Sequence, residues 1–319
     1  MKIGMLFPGY GSQYVGMAKE LYDESRLVQE YFEEASNCLN TNFVKLCFAS
    51  SESDLARMEN AYTALFLVSG SIYALLKQEG VESSVVAGYN LGEYAAVFAA
   101  GGFTFPDGLY LLNKYAAFYQ EELNGKEVAI LRIGGVPTSV VEDLCFKATR
   151  GDLVASVAIY KSATENVISG FADAVEQVRR WVYDQFPDAQ LDSLGLEVGL
   201  HSSLMENVVK NMTMYLEKVD FKDLTVPLLS GVDAQIIEKA DDVKYHVINN
   251  LNNPSVWARV LERLAYCDVL IEVGPGTKLS EMAKMLYPEK SIIAINKRSD
   301  IDVLKKIIEP TTQTIPTEE

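Results

Sequence analysis

Short continuous apolar runs alternate along this chain with longer segments of helical texture. "KIGMLFPG", "TVPLLSG", "CDVLIEVG" and "SIIAINK" are rich in branched aliphatics and bounded by Gly, Pro or charge, and "SSVVAG" is a shorter run of the same kind. That is the pattern of strands buried on both faces. Residues 13–38 and 53–79 read as helical. Within the second, "YTALFLVSGSIYALLKQEG" is apolar nearly all round and ends on Gly80, which predicts a core helix with a glycine cap. "GEYAAVFAAG" predicts another apolar helix, and a third follows Pro106 to about Leu123.

The texture changes near Gly125. "VAILRIGG" reads as a strand, "TSVVEDLCFKAT" as a helix, "LVASVAIY" and "ENVISG" as strands, and "ADAVEQVRRWVYDQF" as a helix. "LDSLGLEVGLHSS" closes the series with extended character. The order β-α-β-β-α-β fits a small ferredoxin-like unit. Strands alternating with helices elsewhere, including a helix in "PGTKLSEMAKMLY", predict a mainly parallel α/β sheet. The expectation is a large α/β domain over 1–125 and 197–308, a ferredoxin-like insertion over 126–196, and a polar, acidic, disordered tail over 309–319.

Bulk composition narrows the classes. With 319 residues, 49% of them hydrophobic, a large core is available. Lys plus Arg is 28 and Asp plus Glu is 44, a net charge of −16 that argues against nucleic acid and anionic membrane as partners. There is no signal-peptide pattern and no apolar run near the roughly 20 residues that span a bilayer, so a cytoplasmic location is expected. Cys38, Cys47, Cys145 and Cys267 are scattered, and the only histidines are His201 and His246, so buried free thiols and no metal site are expected.

The candidate chemistry centres on "GYNLGEYAAVFAAG", Gly88 to Gly101. Strand, glycine-flanked turn and helix follow in the order of a nucleophile elbow, where the middle residue is held in strained backbone geometry at a helix N-terminus. Here that residue is Asn90, whose amide is no nucleophile. Asn tolerates unusual φ, so the bend can persist without the hydroxyl. From spacing alone, Asn90 can equally be an ordinary helix cap, and His201 a packed or surface histidine.

Five ordered motifs bear on that choice: "FPGYGSQYVGM" (7–17), "GYNLGEYAAVFAAG" (88–101), "HSSLM" (201–205), "NNPSVW" (252–257) and "EVGPGTKL" (272–279). Together they closely resemble the malonyl-CoA:acyl-carrier-protein transacylases and the acyltransferases of polyketide synthesis, over about residues 1–300. The resemblance implies an α/β-hydrolase-like core with a ferredoxin-like insertion. It implies a serine at position 90 that takes an acyl group from coenzyme A and passes it to the phosphopantetheine thiol of an acyl carrier protein. It also implies His201 as general base, oriented from around Asn250, and the backbone N–H groups of Tyr10 and Leu91 as the oxyanion hole. Acyl-CoA and the carrier's phosphopantetheine are then substrates, and no bound cofactor is expected. His246 matches no motif and reads as structural.

The departures form a pattern. Asn90 replaces the serine, and Tyr89 replaces the preceding histidine. Tyr115 falls where the family has the arginine that binds the malonyl carboxylate, and Tyr62 and Tyr10 fall near glutamines. Tyr89, Tyr115 and Tyr62 are the candidate substrate-binding residues, with packed core aromatics the bland alternative. A phenol offers one donor and no charge, so about 2–4 kcal/mol of malonyl preference is expected to be lost. Three explanations for Asn90 stand: a change introduced to trap a thioester, natural divergence to a non-catalytic binder of carrier protein or acyl-thioester, or a thioester hydrolase using His201-activated water. An acidic carrier requires a local positive surface; "NKRSD" with Lys305 and Lys306, and Arg179–Arg180, are candidates, with an ordinary solvated face as the alternative.

Overall fold

The computed structural model describes residues 1–196 and 199–308, so the predicted tail over 309–319 lies outside the described residues. Among the described residues, ten strands form two sheets. They are β1 (Ile3–Phe7), β2 (Val85–Gly88), β3 (Val128–Gly134), β4 (Ala155–Tyr160), β5 (Glu165–Phe171), β6 (Gln190–Leu194), β7 (Leu228–Leu229), β8 (Ile236–Ile237), β9 (Val269–Val273) and β10 (Ser291–Ile295). The larger sheet has the order β10-β9-β1-β2-β7-β8 and is parallel except for its edge hairpin β7–β8. The smaller has the order β4-β5-β3-β6 and is antiparallel.

Covering both faces of the larger sheet explains its continuous apolar runs. Met5, Phe7, Ile271 and Val273 face one core, which includes the helices Met58–Gln78 and Phe105–Leu123. Leu6 and Leu270 face the other, against Trp257, Val260, Leu279 and Ala283. Each residue therefore has an apolar partner whichever way it points. The smaller sheet is also two-sided. Leu131, Ile133 and Ile168 pack under the helices Thr138–Ala148 and Ala172–Gln185, while Ile130, Ile159 and Val167 join the large core. A bridge between Ile159 and Ser255 ties the smaller sheet to the segment that leads into the helix Trp257–Arg263.

Two predicted helices are interrupted. The one expected over 13–38 begins at Lys19 and breaks at Ser25, which is extended and caps the helix Arg26–Leu39 through its side chain. The one expected over 53–79 breaks at Arg57, where ψ is 137°. Of the extended series expected over 191–203, the part up to Leu194 is a strand, residues 197–198 lie outside the described residues, and His201 is left-handed at φ 44°. The pattern also missed the helices Phe43–Ala49, Glu206–Leu216, Ala240–Asn249, Trp257–Arg263 and Arg298–Ile308. Glu206–Leu216 buries only Val208, Met212 and Leu216, a thin stripe on a segment of mixed polarity.

Cys47, Cys145 and Cys267 are buried, and burial pushes their thiols up to about 12, about 12 and about 11. Cys38 is exposed, contrary to the expectation of burial, because it lies on the outer face of its helix. Among the described residues no group of three His, Cys, Asp or Glu could hold a metal. No described helix is long and apolar enough to cross a membrane.

The parallel register puts Phe7 beside Gly88 and Leu6 beside Glu272, so β1, β2 and β9 end together. Gly92 allows the chain after β2 to turn back over the end of β1. A β-carbon there would stand 2.0 Å from the Phe7 carbonyl oxygen. Gly92→Ala is expected to destabilise the protein by about 2–3 kcal/mol despite alanine's better helix propensity, because only backbone can yield. Urea denaturation measures this; an unchanged midpoint would show the contact to be slack.

Candidate active site

The helix Gly92–Ala99 starts straight off the end of β2, with Asn90 at the bend. Asn90 has φ 54°, the left-handed region that disfavours most side chains and that asparagine tolerates best after glycine. The turn closes through Gly92 N–H to the Tyr89 carbonyl at 3.0 Å and Glu93 N–H to the Asn90 carbonyl at 3.1 Å. Gly9 lies directly against it: a β-carbon on Gly9 would stand 2.3 Å from the Tyr89 oxygen and 3.3 Å from the Leu91 nitrogen. The backbones of Gly9–Tyr10 and Tyr89–Leu91 are thus in contact at the strand ends. That crevice at the carboxyl ends of a parallel sheet is where such folds place ligands.

His201 and Asn90, 111 positions apart in sequence, face one gap. The β-carbon position of Gly199 is 3.0 Å from His201 Nε2 and 3.7 Å from Asn90 Nδ2. Gly199 has φ 103° and leaves that space open; a β-carbon there would press on the His201 ring and lie in van der Waals contact with Asn90. His201 is buried, and its Nδ1 lies 2.8 Å from the Asn250 carbonyl oxygen. A carbonyl only accepts, so Nδ1 carries the proton and Nε2 is left as a lone pair. Nε2 is buried and has no hydrogen-bond partner among the described residues. Burial lowers the imidazole pKa, partly offset by the backbone groups of Asn250 and Asn253, so the neutral form is favoured at pH 7. Asn250 acts here through its main chain; the residue type is not what orients the ring. Leu200, just before His201, accepts a hydrogen bond from Ser169 on β5, which anchors the segment to the smaller sheet.

A cavity of about 470 Å³ between the two sheets reaches the Asn90 side of this gap; His201 is not among its described lining. Tyr10, Tyr89 and Asn90 line it, with Ile159, Val167 and Met282 forming part of its apolar wall. Tyr89 packs edge-on against Trp257, with ring centroids 5.1 Å apart, and the Tyr10 hydroxyl donates to the Ala56 carbonyl at 2.9 Å. Tyr62 and Tyr115 are brought together elsewhere. They are buried in an aromatic column, 5.4 Å apart, continued by Tyr94 and Tyr119, and they are not among the cavity's described lining. The reason is their place on inward-facing positions of the helices Met58–Gln78 and Phe105–Leu123.

The cations Arg132, Lys161 and Lys278 also line the cavity; spacing and motif gave no sign of the first two, and Lys278 stands in the quoted "EVGPGTKL" without having been singled out. Arg132 pairs with Glu165 at 2.8 Å and Asp192 at 2.5 Å, Lys161 shares Glu165, and Lys278 donates to the Gly11 carbonyl. The cations nominated from sequence are largely neutralised: Arg179 and Arg180 both reach Glu176, and Arg298 and Lys305 both reach Glu79, while Lys306 is exposed.

Fold and site thus define a mixed α/β protein whose cleft sets a strained elbow against a neutral, buried histidine. The acyl transferase domain family model matches residues 5–296, and the chain belongs to that family. It is 31% identical over 306 residues to the malonyl CoA-acyl carrier protein transacylase of Bacillus subtilis (strain 168), covering 95% of this chain and 96% of that protein. It is 29% identical over 301 residues to the protein of the same name from Escherichia coli (strain K12), covering 93% and 97%. Among solved structures it is similar to the malonyl CoA-acyl carrier protein transacylase of Coxiella burnetii, with TM-score 0.91, 26% identity and coverage of 96% and 97%. It is equally similar to a malonyl-transacylase in complex with its type II polyketide acyl carrier protein, with TM-score 0.90, 26% identity and coverage of 95% and 98%.

His201 is expected to titrate below the ordinary value of about 6.5. Because its folded pKa is lowered, the stability it contributes is present above that value and lost as pH falls through the folded pKa. Imidazole NMR over pH 4–8 checks this, and with two histidines in the chain the spectrum holds two rings. A His201 midpoint at or above 6.5 would contradict the buried neutral ring.

Proposed function

We propose that this protein handles acyl thioesters of coenzyme A and of a carrier protein's phosphopantetheine, and that Asn90 prevents it from forming the covalent acyl-enzyme of its family. The observation that carries this reading is the pairing of Asn90, in the left-handed turn, with the unpartnered lone pair of His201 Nε2 across the space kept by Gly199. With serine at position 90, Oγ attacks the thioester carbonyl while its proton passes to Nε2. The Tyr10 and Leu91 N–H groups receive the oxyanion. The thiol leaves with the proton, and a second thiol reverses the sequence. A carboxamide nitrogen has its lone pair delocalised and cannot take the first step. The cleft, the base and the amides remain.

The division into a hydrolase-like core over 1–125 and 197–308 and a ferredoxin-like unit over 126–196 belongs to the same reading, supported by the two sheet orders. The cleft between them would take the acyl-pantetheine arm. The carrier protein and coenzyme A are the proposed partners, by analogy with the relatives' names. The acyl group is proposed to be neutral rather than malonyl, because position 115, where the resemblance implies the carboxylate-binding arginine, holds an uncharged phenol packed in the aromatic column. A second reading has direct support from the unpartnered Nε2, which could draw a proton from water and make the protein a slow thioester hydrolase.

Incubation with acyl-CoA and carrier protein, followed by intact mass measurement of both chains, tests this. The chain as it stands is expected to carry no covalent acyl group, whereas Asn90→Ser is expected to acquire one and raise transfer by roughly 10⁴-fold or more. An adduct on the Asn90 protein would refute the reading, and so would an inert Asn90→Ser. For the acyl group, butyryl-CoA is expected to bind at least as tightly as malonyl-CoA. A malonyl preference of tenfold or more would show that another cation of the cleft replaces the arginine. Free acid released by the Asn90 protein and abolished in His201→Ala would establish the hydrolase.

A further inference from the structure

We propose that His246 is a positioning residue for His201, acting through the carbonyl of Asn250. This rests on the reading of His201 as the base. Asn250 is the C-terminal cap of the helix Ala240–Asn249, and helix ends hold their last carbonyls in place only when something ties them down. Its N–H donates to the His246 carbonyl at 2.9 Å, and its own carbonyl accepts from His201 Nδ1 at 2.8 Å. The turn that carries this carbonyl is fixed by the His246 side chain. Its Nε2 lies 3.1 Å from Glu93 Oε2, and both groups are almost fully buried. Glu93 is held in turn by Gly231 N–H, which donates to Oε1 at 2.7 Å.

Glu93 lies on the first turn of the helix that begins at the elbow, three positions beyond Asn90. The contacts therefore close a circuit: from Asn90 along the helix to Glu93, across to His246, along the backbone to Asn250, and through His201 back to the gap beside Asn90. Both walls of the gap are referred to one buried side-chain pair. Removing the imidazole would leave a buried carboxylate short of one partner, and Glu93 would draw away from the helix Ala240–Asn249. The Asn250 carbonyl would then lose its fixed height over the elbow, and with it the proton on Nδ1 of His201. Nothing in this arrangement makes His246 catalytic, because it touches no reacting atom.

Two variants separate positioning from mere packing. His246→Leu fills the space without a donor, and His246→Gln keeps an N–H of similar reach. The readout is the His201 imidazole in ¹H–¹⁵N spectra, where it becomes the only ring in either variant. In His246→Leu the Nδ1–H form is expected to give way to a mixture with Nε2–H, and in His246→Gln it is expected to persist. On the Asn90→Ser background, kcat for acyl transfer is expected to fall roughly tenfold or more in His246→Leu with KM unchanged, and to recover in His246→Gln. If His246→Leu does not fold, His246→Met takes its place. A folded variant lacking the donor whose His201 signals match the parent would overturn the proposal. If Asn90→Ser transfers nothing, the proposed function fails alone, and the imidazole spectra still decide the role of His246.

Discussion

The tight approach of two backbone segments at the ends of β1 and β2 governs everything above it. Gly9 and Gly92 bring Phe7–Tyr10 against Tyr89–Gly92 with no side chain between them, and Asn90 is forced into the left-handed turn that results. A left-handed residue at a strand-to-helix junction presents its side chain outward at the mouth of the cleft, with backbone N–H groups on either side. The strain is small for asparagine and is held by the two parallel strands that end there. The elbow is thus a property of the main chain, and it persists with a side chain that cannot attack.

The second wall of the cleft is built differently. His201 is also left-handed, at φ 44°, but it is held by hydrogen bonds from distant segments: its ring by the Asn250 carbonyl and its neighbour Leu200 by Ser169 of the smaller sheet. One wall is therefore fixed by packing of backbone and the other by a few directional contacts. Burial then sets the chemistry. It keeps the imidazole neutral, and the carbonyl on Nδ1 selects the tautomer that turns a lone pair toward Asn90. The cavity's cations are concentrated at this opening in a chain of net charge −16. Each is engaged, by Glu165 and Asp192 or by the Gly11 carbonyl, so the cleft presents polar donors without a large uncompensated charge.

The strands of the larger sheet and the all-apolar helix Met58–Gln78 were legible because their residues are apolar in every direction. Of the amphipathic helices, Ala172–Gln185 and Lys278–Leu286 were legible, whereas Glu206–Leu216 was not, because its stripe of Val208, Met212 and Leu216 becomes apparent only when counted at helical spacing. Ala240–Asn249 is the instructive omission: Val243, His246 and Val247 are its buried positions, so His246 lies on the inward stripe, and reading it as a structural residue missed its carboxylate partner. The ordered motifs brought Tyr10, Asn90, Leu91, His201 and Asn250 onto one list; the fold puts Tyr10 and Asn90 on the cavity wall, Leu91 at the elbow, and His201, held by the Asn250 carbonyl, across the Gly199 space from Asn90. Tyr62 and Tyr115 belonged to the same list, yet they pack together in the core, where neighbouring helices supply aromatic partners.

The sequence by itself determined the composition of the cleft's turn. Glycines at 9, 88 and 92, with asparagine at 90, are local choices that dictate local backbone geometry, and the absence of a hydroxyl at position 90 is plain without coordinates. Only the tertiary structure decided what faces that turn. Which histidine meets Asn90, which nitrogen it presents, and which of three cations and several phenols reach the cavity depend on contacts between distant segments, 49 positions apart for His201 and Asn250 and 267 for Lys278 and Gly11. Those pairings arise when both sheets bury their second faces, and burial in three dimensions leaves no periodic trace in the chain from which a partner could be read.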